Sequence, residues 1–154
     1  MTKLVDNARA YWEKHEPELI EQFKKFLAFP SVSSESAHQA DVRNCSGWIA
    51  HELVQLGLHV ETWETPGHPV VFAETKHPDP KRPTVLIYNH YDVQPVDPLE
   101  LWEHQPFEAH EKDGEIYARG AQDNKGQCFY VLSAIKALLT SGIPTPVNLK
   151  LLIE

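Results

Sequence analysis

The chain has 154 residues, enough for one domain with a sizeable core, and its 42% hydrophobic and 23% charged side chains exclude a disordered or fibrous protein. Net charge is −8, from 22 acidic against 14 basic residues, and no basic run exceeds the pairs Lys24-Lys25 and Lys81-Arg82. That balance argues against a nucleic-acid or anionic-membrane partner, since both need clustered Lys and Arg.

The N-terminus, Met1 to Asn7, is polar and charged, with no apolar run of signal-peptide or membrane-span type, so a soluble cytoplasmic protein is expected. Leu19, Ile20, Phe23, Phe26 and Leu27 recur at three- and four-residue steps, which predicts a helix. Pro17 suits a first helical turn, so a short helix over about 4–14 is expected to break there. Phe29-Pro30 ends the helical stretch, and residues 31–36 form a polar loop. A second helix is predicted over 38–56, with Val42, Cys45, Ile49, Leu53 and Leu56 on one face and Gly57 as its stop.

Strands follow. Leu58, Val60 and Thr62 alternate with His59 and Glu61, so one face is wet. Residues 70–74 follow a Pro66-Gly67 turn, and a Pro-rich charged loop covers 76–83. Residues 84–88, Thr-Val-Leu-Ile-Tyr, are apolar on both faces, the pattern of a central strand covered on both sides. Asp113-Gly114 is a hairpin turn signal between 108–112 and 115–117. A third helix is predicted over 125–139, closed by Gly142 and Pro144, and an apolar strand over 147–154. Alternating helices and strands give an α/β fold in one domain, 1–154, and the hairpin points to a mixed sheet flanked by helices.

Cys45 and Cys128 form no CxxC pair. Two free thiols are the plain reading; a catalytic thiol at Cys128 lacks any local nucleophile signature. Of nine histidines, eight lie in polar contexts and read as surface residues; His104 and His110 show no ligand spacing. His90 is different, because it follows the buried strand in Asn89-His90-Tyr91-Asp92-Val93. In extended chain, residues 90 and 92 project to one side, and a carboxylate beside a histidine can hold one ring nitrogen protonated and leave the other for a metal. The alternative is a capped histidine at a strand end with Asp92 merely solvated. In residues 117–126, Asp123 precedes a helix N-terminus, where anions are favoured; taken alone, an ordinary N-cap by Asp123 or Asn124, with Gly120 and Gly126 serving turns, is the plainer reading.

Together, Asn89-His90-Tyr91-Asp92-Val93-Gln94-Pro95 and Tyr117-Ala118-Arg119-Gly120-Ala121-Gln122-Asp123-Asn124-Lys125-Gly126 resemble the co-catalytic di-zinc hydrolase family that includes carnosinase, bacterial dipeptidases, aminoacylase, acetylornithine deacetylase and succinyl-diaminopimelate desuccinylase. Trp102, Pro106-Phe107, Asp113-Gly114 and the Phe29-to-Ser33 stretch fall where that family has them. The resemblance implies a zinc-exopeptidase-like catalytic domain, with His90 a ligand of one zinc, Asp92 the catalytic carboxylate that orients it, and Asp123 the carboxylate bridging two zincs. It also implies a cis peptide after Asp123. Mn2+ or Co2+ suits the same donors.

The implied reaction is hydrolysis of a dipeptide bond by a metal-activated water, with a glutamate moving the proton. The alternatives are an N-acyl amino acid deacylase and a non-catalytic scaffold or binding module. Glu154 resembles the opening residue of the family's Glu/Gly-rich motif. The expectation is therefore a truncated catalytic domain, inactive by itself, lacking later ligands and the lid domain through which homodimers form. Small peptides or N-acyl amino acids are the partners expected of the whole enzyme.

Overall fold

The computed structural model describes residues 2–154. Three helices, α1 (Thr2–Leu27), α2 (Gln39–Gln55) and α3 (Lys125–Thr140), accompany a four-stranded sheet of β1 (His59–Trp63), β2 (Val70–Glu74), β3 (Thr84–Asn89) and β6 (Asn148–Ile153). Two short strands, β4 (His110–Lys112) and β5 (Glu115–Tyr117), form a separate hairpin.

Helix α1 runs unbroken through Pro17, where a break was expected. Pro17 removes one N–H and frees the carbonyl of Glu13, but both residues lie on the solvent side, where water takes up the free carbonyl. The buried stripe Leu19, Phe26 and Leu27 holds the helix on the core from the other side. Helix α2 buries Val42, Cys45, Ile49 and Leu53, as the periodicity requires, and Gly57 follows with φ +79°.

The sheet order is β1-β2-β6-β3, with β1–β2 and β2–β6 antiparallel and β3–β6 parallel. The sheet is mixed, as expected, but the mixing comes from β2 against β6. The hairpin is a sheet of its own, turned by Asp113 (φ 55°) and Gly114 (φ 81°), both left-handed as a two-residue turn demands.

Register places Val71, Ala73, Leu149, Leu151 and Ile153 on one face, and these join Leu19, Phe26, Ile49, Leu53, Phe129 and Leu132 in a single apolar cluster. All three helices contribute to that cluster. Each large apolar side chain fully buried there stabilises the fold by about 1.5–3 kcal/mol.

The expectation that 84–88 is covered on both faces is corrected. Among the described residues β3 is an edge strand paired only with β6, and Leu86 (65% exposed) and Tyr88 (56%) stand open on the face away from the cluster. The apolar character of the strand is legible in the sequence; which of its faces is covered is not, since that depends on elements distant in the chain. No helix among the described residues is long and apolar enough to cross a membrane.

Candidate metal centre

Strands β3 and β6 run parallel, so their carboxyl ends open on one side of the sheet, where ligands collect in α/β folds. The parallel ladder continues past both ends: Glu154 N donates to Asn89 O (3.1 Å) and Tyr91 N donates to Glu154 O (2.7 Å). This carries His90 and Asp92 out at the strand tip. Tyr91 points the other way and is fully buried, its hydroxyl donating to Pro69 O at 2.7 Å. Burial pushes that phenol up to about 12.

His90 Nδ1 lies 2.9 Å from Asp92 Oδ1 and His90 Nε2 lies 3.1 Å from Asp123 Oδ1. The two blocks singled out in the sequence are therefore one constellation. With Nδ1–H given to Asp92, the Nε2 lone pair faces the Asp123 carboxylate, which is 81% exposed.

Asp123 is presented by a tightly wound loop. Gly126 N donates to Gly120 O (3.2 Å), Ala121 N to Ala118 O (3.2 Å), and the Asp123–Asn124 peptide is cis, as the family resemblance implies. Gly120 adopts φ +80°, and a Cβ there would lie 2.7 Å from Val93 Cγ1. A Cβ on Gly126 would overlap the carbonyl of Ala121. The N-cap alternative does not describe Asn124: its side chain makes no capping bond to α3. Its Oδ1 accepts from Asn89 Nδ2 (3.0 Å) instead, which ties the loop to the end of β3.

The residues present fit a cation. Imidazole nitrogen and carboxylate oxygen are the donors zinc takes, and a 3.1 Å separation suits two neighbouring ligands bonded to one ion at about 2.0–2.2 Å. The Nδ1 contact to Asp92 is the outer-shell partner that metal-binding histidines usually carry. No group of three or more His, Cys, Asp and Glu residues that could hold a metal occurs among the described residues, so the donor set here is a pair. Beside it lies an open cleft of about 480 Å3, lined by Ser33, Thr65, His68, Tyr88, His90 and Glu154 among others.

Three supporting residues escaped the sequence reading. Ser33 Oγ donates to Asp92 Oδ2, and His68 Nε2 donates to Ser33 O (2.8 Å). The polar context of His68 reads as a surface histidine; it is half-buried, and only its place between Gly67 and Pro69 hints at a fixed loop. Lys125 is fully buried, its Nζ 2.5 Å from Phe29 O and 5.3 Å from the Phe26 ring centroid. Burial pulls that ammonium down to about 8. A lysine that opens a helix is ordinarily solvated, so composition gave no signal for it.

The two cysteines are free and buried. Burial pushes Cys45 up to about 11 and Cys128 up to about 12, which opposes a nucleophilic role for Cys128. His104 and His110 stack with ring centroids 3.6 Å apart and, with Trp102 and Tyr117, line a cleft that His90 does not border.

Comparison with known proteins points the same way. Residues 86–154 match the profile of Peptidase family M20/M25/M40. The chain is 35% identical over 156 residues to the Cys-Gly metallodipeptidase DUG1 of Candida albicans, covering 92% of this chain and 32% of that protein. It is 34% identical over 139 residues to the N-formyl-4-amino-5-aminomethyl-2-methylpyrimidine deformylase of Bacillus subtilis, covering 89% and 32%. The crystal structure of human carnosine dipeptidase 1 superposes with a TM-score of 0.90 at 31% identity, over 98% of this chain and 34% of that one. The chain thus spans about a third of the length of these relatives.

Proposed function

We propose that the chain belongs to the M20/M25/M40 peptidase family that residues 86–154 match, and that residues 1–154 are the N-terminal portion of a metallopeptidase catalytic domain whose whole protein hydrolyses dipeptides. The observation that carries the reading is the row Asp92–His90–Asp123, with contacts of 2.9 and 3.1 Å at the open end of β3.

In this reading His90 Nε2 and Asp123 would hold the metal, with zinc the expected ion and Mn2+ or Co2+ able to replace it. With a metal ion bound there, the site would gain Lewis-acid polarisation of a scissile carbonyl and an acidified water. The chain's own residues do the positioning. Asp92 keeps the Nδ1 proton and so directs Nε2 outward. The 120–126 loop fixes where the Asp123 carboxylate stands. The cleft beside His90 gives a small peptide room to lie across the strand ends. Catalytic zinc sites take about three protein ligands each, so the remaining ligands and the proton-carrying glutamate are assigned to residues outside 1–154.

The deformylase relative favours a second reading, removal of an acyl group from an amine by the same site. Release of free amino acids from Cys-Gly and β-Ala-His, against release of acid from N-acyl amino acids, separates the two in the complete polypeptide. His90→Ala in that protein should strip both zinc and activity. Unchanged zinc stoichiometry in the variant would refute the ligand assignment.

A further inference from the structure

The segment after α1 reaches across to the strand tip that carries His90. Ser31 Oγ donates to Tyr91 O (2.7 Å), Val93 N donates to Ser31 O (2.9 Å), and Val32 and Val93 form a parallel bridge. This short pairing seats Ser33 beside Asp92, and the Ser33 hydroxyl donates to Asp92 Oδ2. Asp92 Oδ1 takes His90 Nδ1. Both oxygens of the carboxylate are therefore occupied, one by each neighbour.

Ser33 is itself held from behind. His68 Nε2 donates to Ser33 O at 2.8 Å, and His68 belongs to the β1–β2 connection. That connection is pinned by Thr65 Oγ1 donating to His68 O (2.8 Å) and by the buried Tyr91 hydroxyl on Pro69 O. A carboxylate that is about a third exposed turns readily about its terminal torsion, whose wells are broad. A second hydrogen bond, from a hydroxyl whose backbone is fixed, removes that freedom.

We propose that Ser33, braced by His68, is a positioning residue that locks the Asp92 carboxylate so that His90 presents Nε2 to the metal. The proposal rests on the reading of His90 as a metal ligand. In it Ser33 is not a metal ligand; it acts through Asp92.

The test uses Ser33→Ala and Ser33→Thr beside the wild-type chain. Zn2+ alone is titrated, and binding is followed at the His90 ring resonances by NMR, which reads even weak affinity at this one site. Crystal structures of the wild type and Ser33→Ala, without metal, report the Asp92 rotamer. Losing an outer-shell partner should weaken Zn2+ at His90 by about 10-fold in Ser33→Ala, with the melting temperature held. Ser33→Thr, which keeps the hydroxyl, should restore it, and the Ser33→Ala crystal structure should show Oδ1 turned from His90 Nδ1. The role of Ser33 is overturned if Ser33→Ala binds Zn2+ as the wild type does, if Ser33→Thr is as weak as Ser33→Ala, or if the Asp92–His90 contact stays in place in the alanine variant. If the wild-type His90 ring ignores Zn2+ altogether, the two crystal structures alone decide the part played by Ser33, and the metal reading is decided apart from it by the zinc content of His90→Ala in the complete polypeptide.

Discussion

His90 and Asp123 are 33 positions apart in the chain, yet His90 Nε2 and Asp123 Oδ1 stand 3.1 Å from one another. The contact joins the tip of β3 to the loop ahead of α3, two elements that no local pattern links. A strongly exposed carboxylate so close to a half-buried imidazole is inexpensive to change without disturbing the core. Asp123→Asn should therefore leave the circular dichroism and melting temperature unchanged and weaken Zn2+ binding at His90 by at least about 10-fold. Calorimetric or NMR titration checks this; equal affinity in the two proteins would remove Asp123 from the ligand set.

Gly120→Ala should be among the costliest single substitutions in the chain. The residue sits at φ +80°, and an added methyl group meets Val93 Cγ1 at 2.7 Å and the Lys125 stem at 3.4 Å. Left-handed strain and overpacking each cost about 1–3 kcal/mol, so urea unfolding should show a loss of at least about 2 kcal/mol. A loss under half of that would mean the loop relaxes easily and does not fix Asp123.

Pro17→Ala should act in the opposite direction. It restores an N–H donor to the Glu13 carbonyl on the exposed side of α1, where no packing is disturbed. Proline in a helix interior is about 3 kcal/mol worse than alanine, so a gain of about 1–3 kcal/mol in unfolding free energy is expected. A destabilised variant would show that the proline fits a bend the core requires.

The thiols give a pH prediction. Cys45 and Cys128 are raised by burial from 9.0 to about 11 and about 12. The folded state thus holds these protons more tightly than the unfolded chain. The stability that this supplies is complete below pH 9.0 and is lost as pH climbs toward 11 and 12. Lys125 works the other way, since its lowered value relieves the cost of a buried charge between about 8 and 10.5. Urea melts of the wild type should show a loss of stability above pH 9.0, and Cys128→Ala should flatten it. At neutral pH a thiol reagent should label neither cysteine until denaturant is added; rapid labelling of the native chain would contradict the burial.

The elements that could be located from sequence are those whose signal is local. The i, i+3, i+4 spacing of Val42, Cys45, Ile49 and Leu53 gave α2, and Asp113-Gly114 gave the hairpin, because periodicity and turn chemistry act over a few residues. Residues 70–74 were bounded by a Pro-Gly turn and matched β2. What sequence could not show was set by distant partners. Nothing in residues 84–88 tells which of their faces is covered, and nothing around Pro17 announces that Leu19 and Phe26 hold the helix through it. The same division runs through the site. His90, Asp92 and Asp123 stood out through the motifs that carry them. Ser33, His68 and Lys125 did not, because each owes its place to long-range hydrogen bonds made with the backbone or with another side chain.

The outer edge of β3 has a further consequence. It offers an unsatisfied row of peptide groups next to bare Leu86 and Tyr88, which is a template for another strand. For this chain handled by itself, concentration is therefore the variable to control. Dilute samples keep molecules apart, whereas crowded ones invite β3 of one molecule to zip onto β3 of the next.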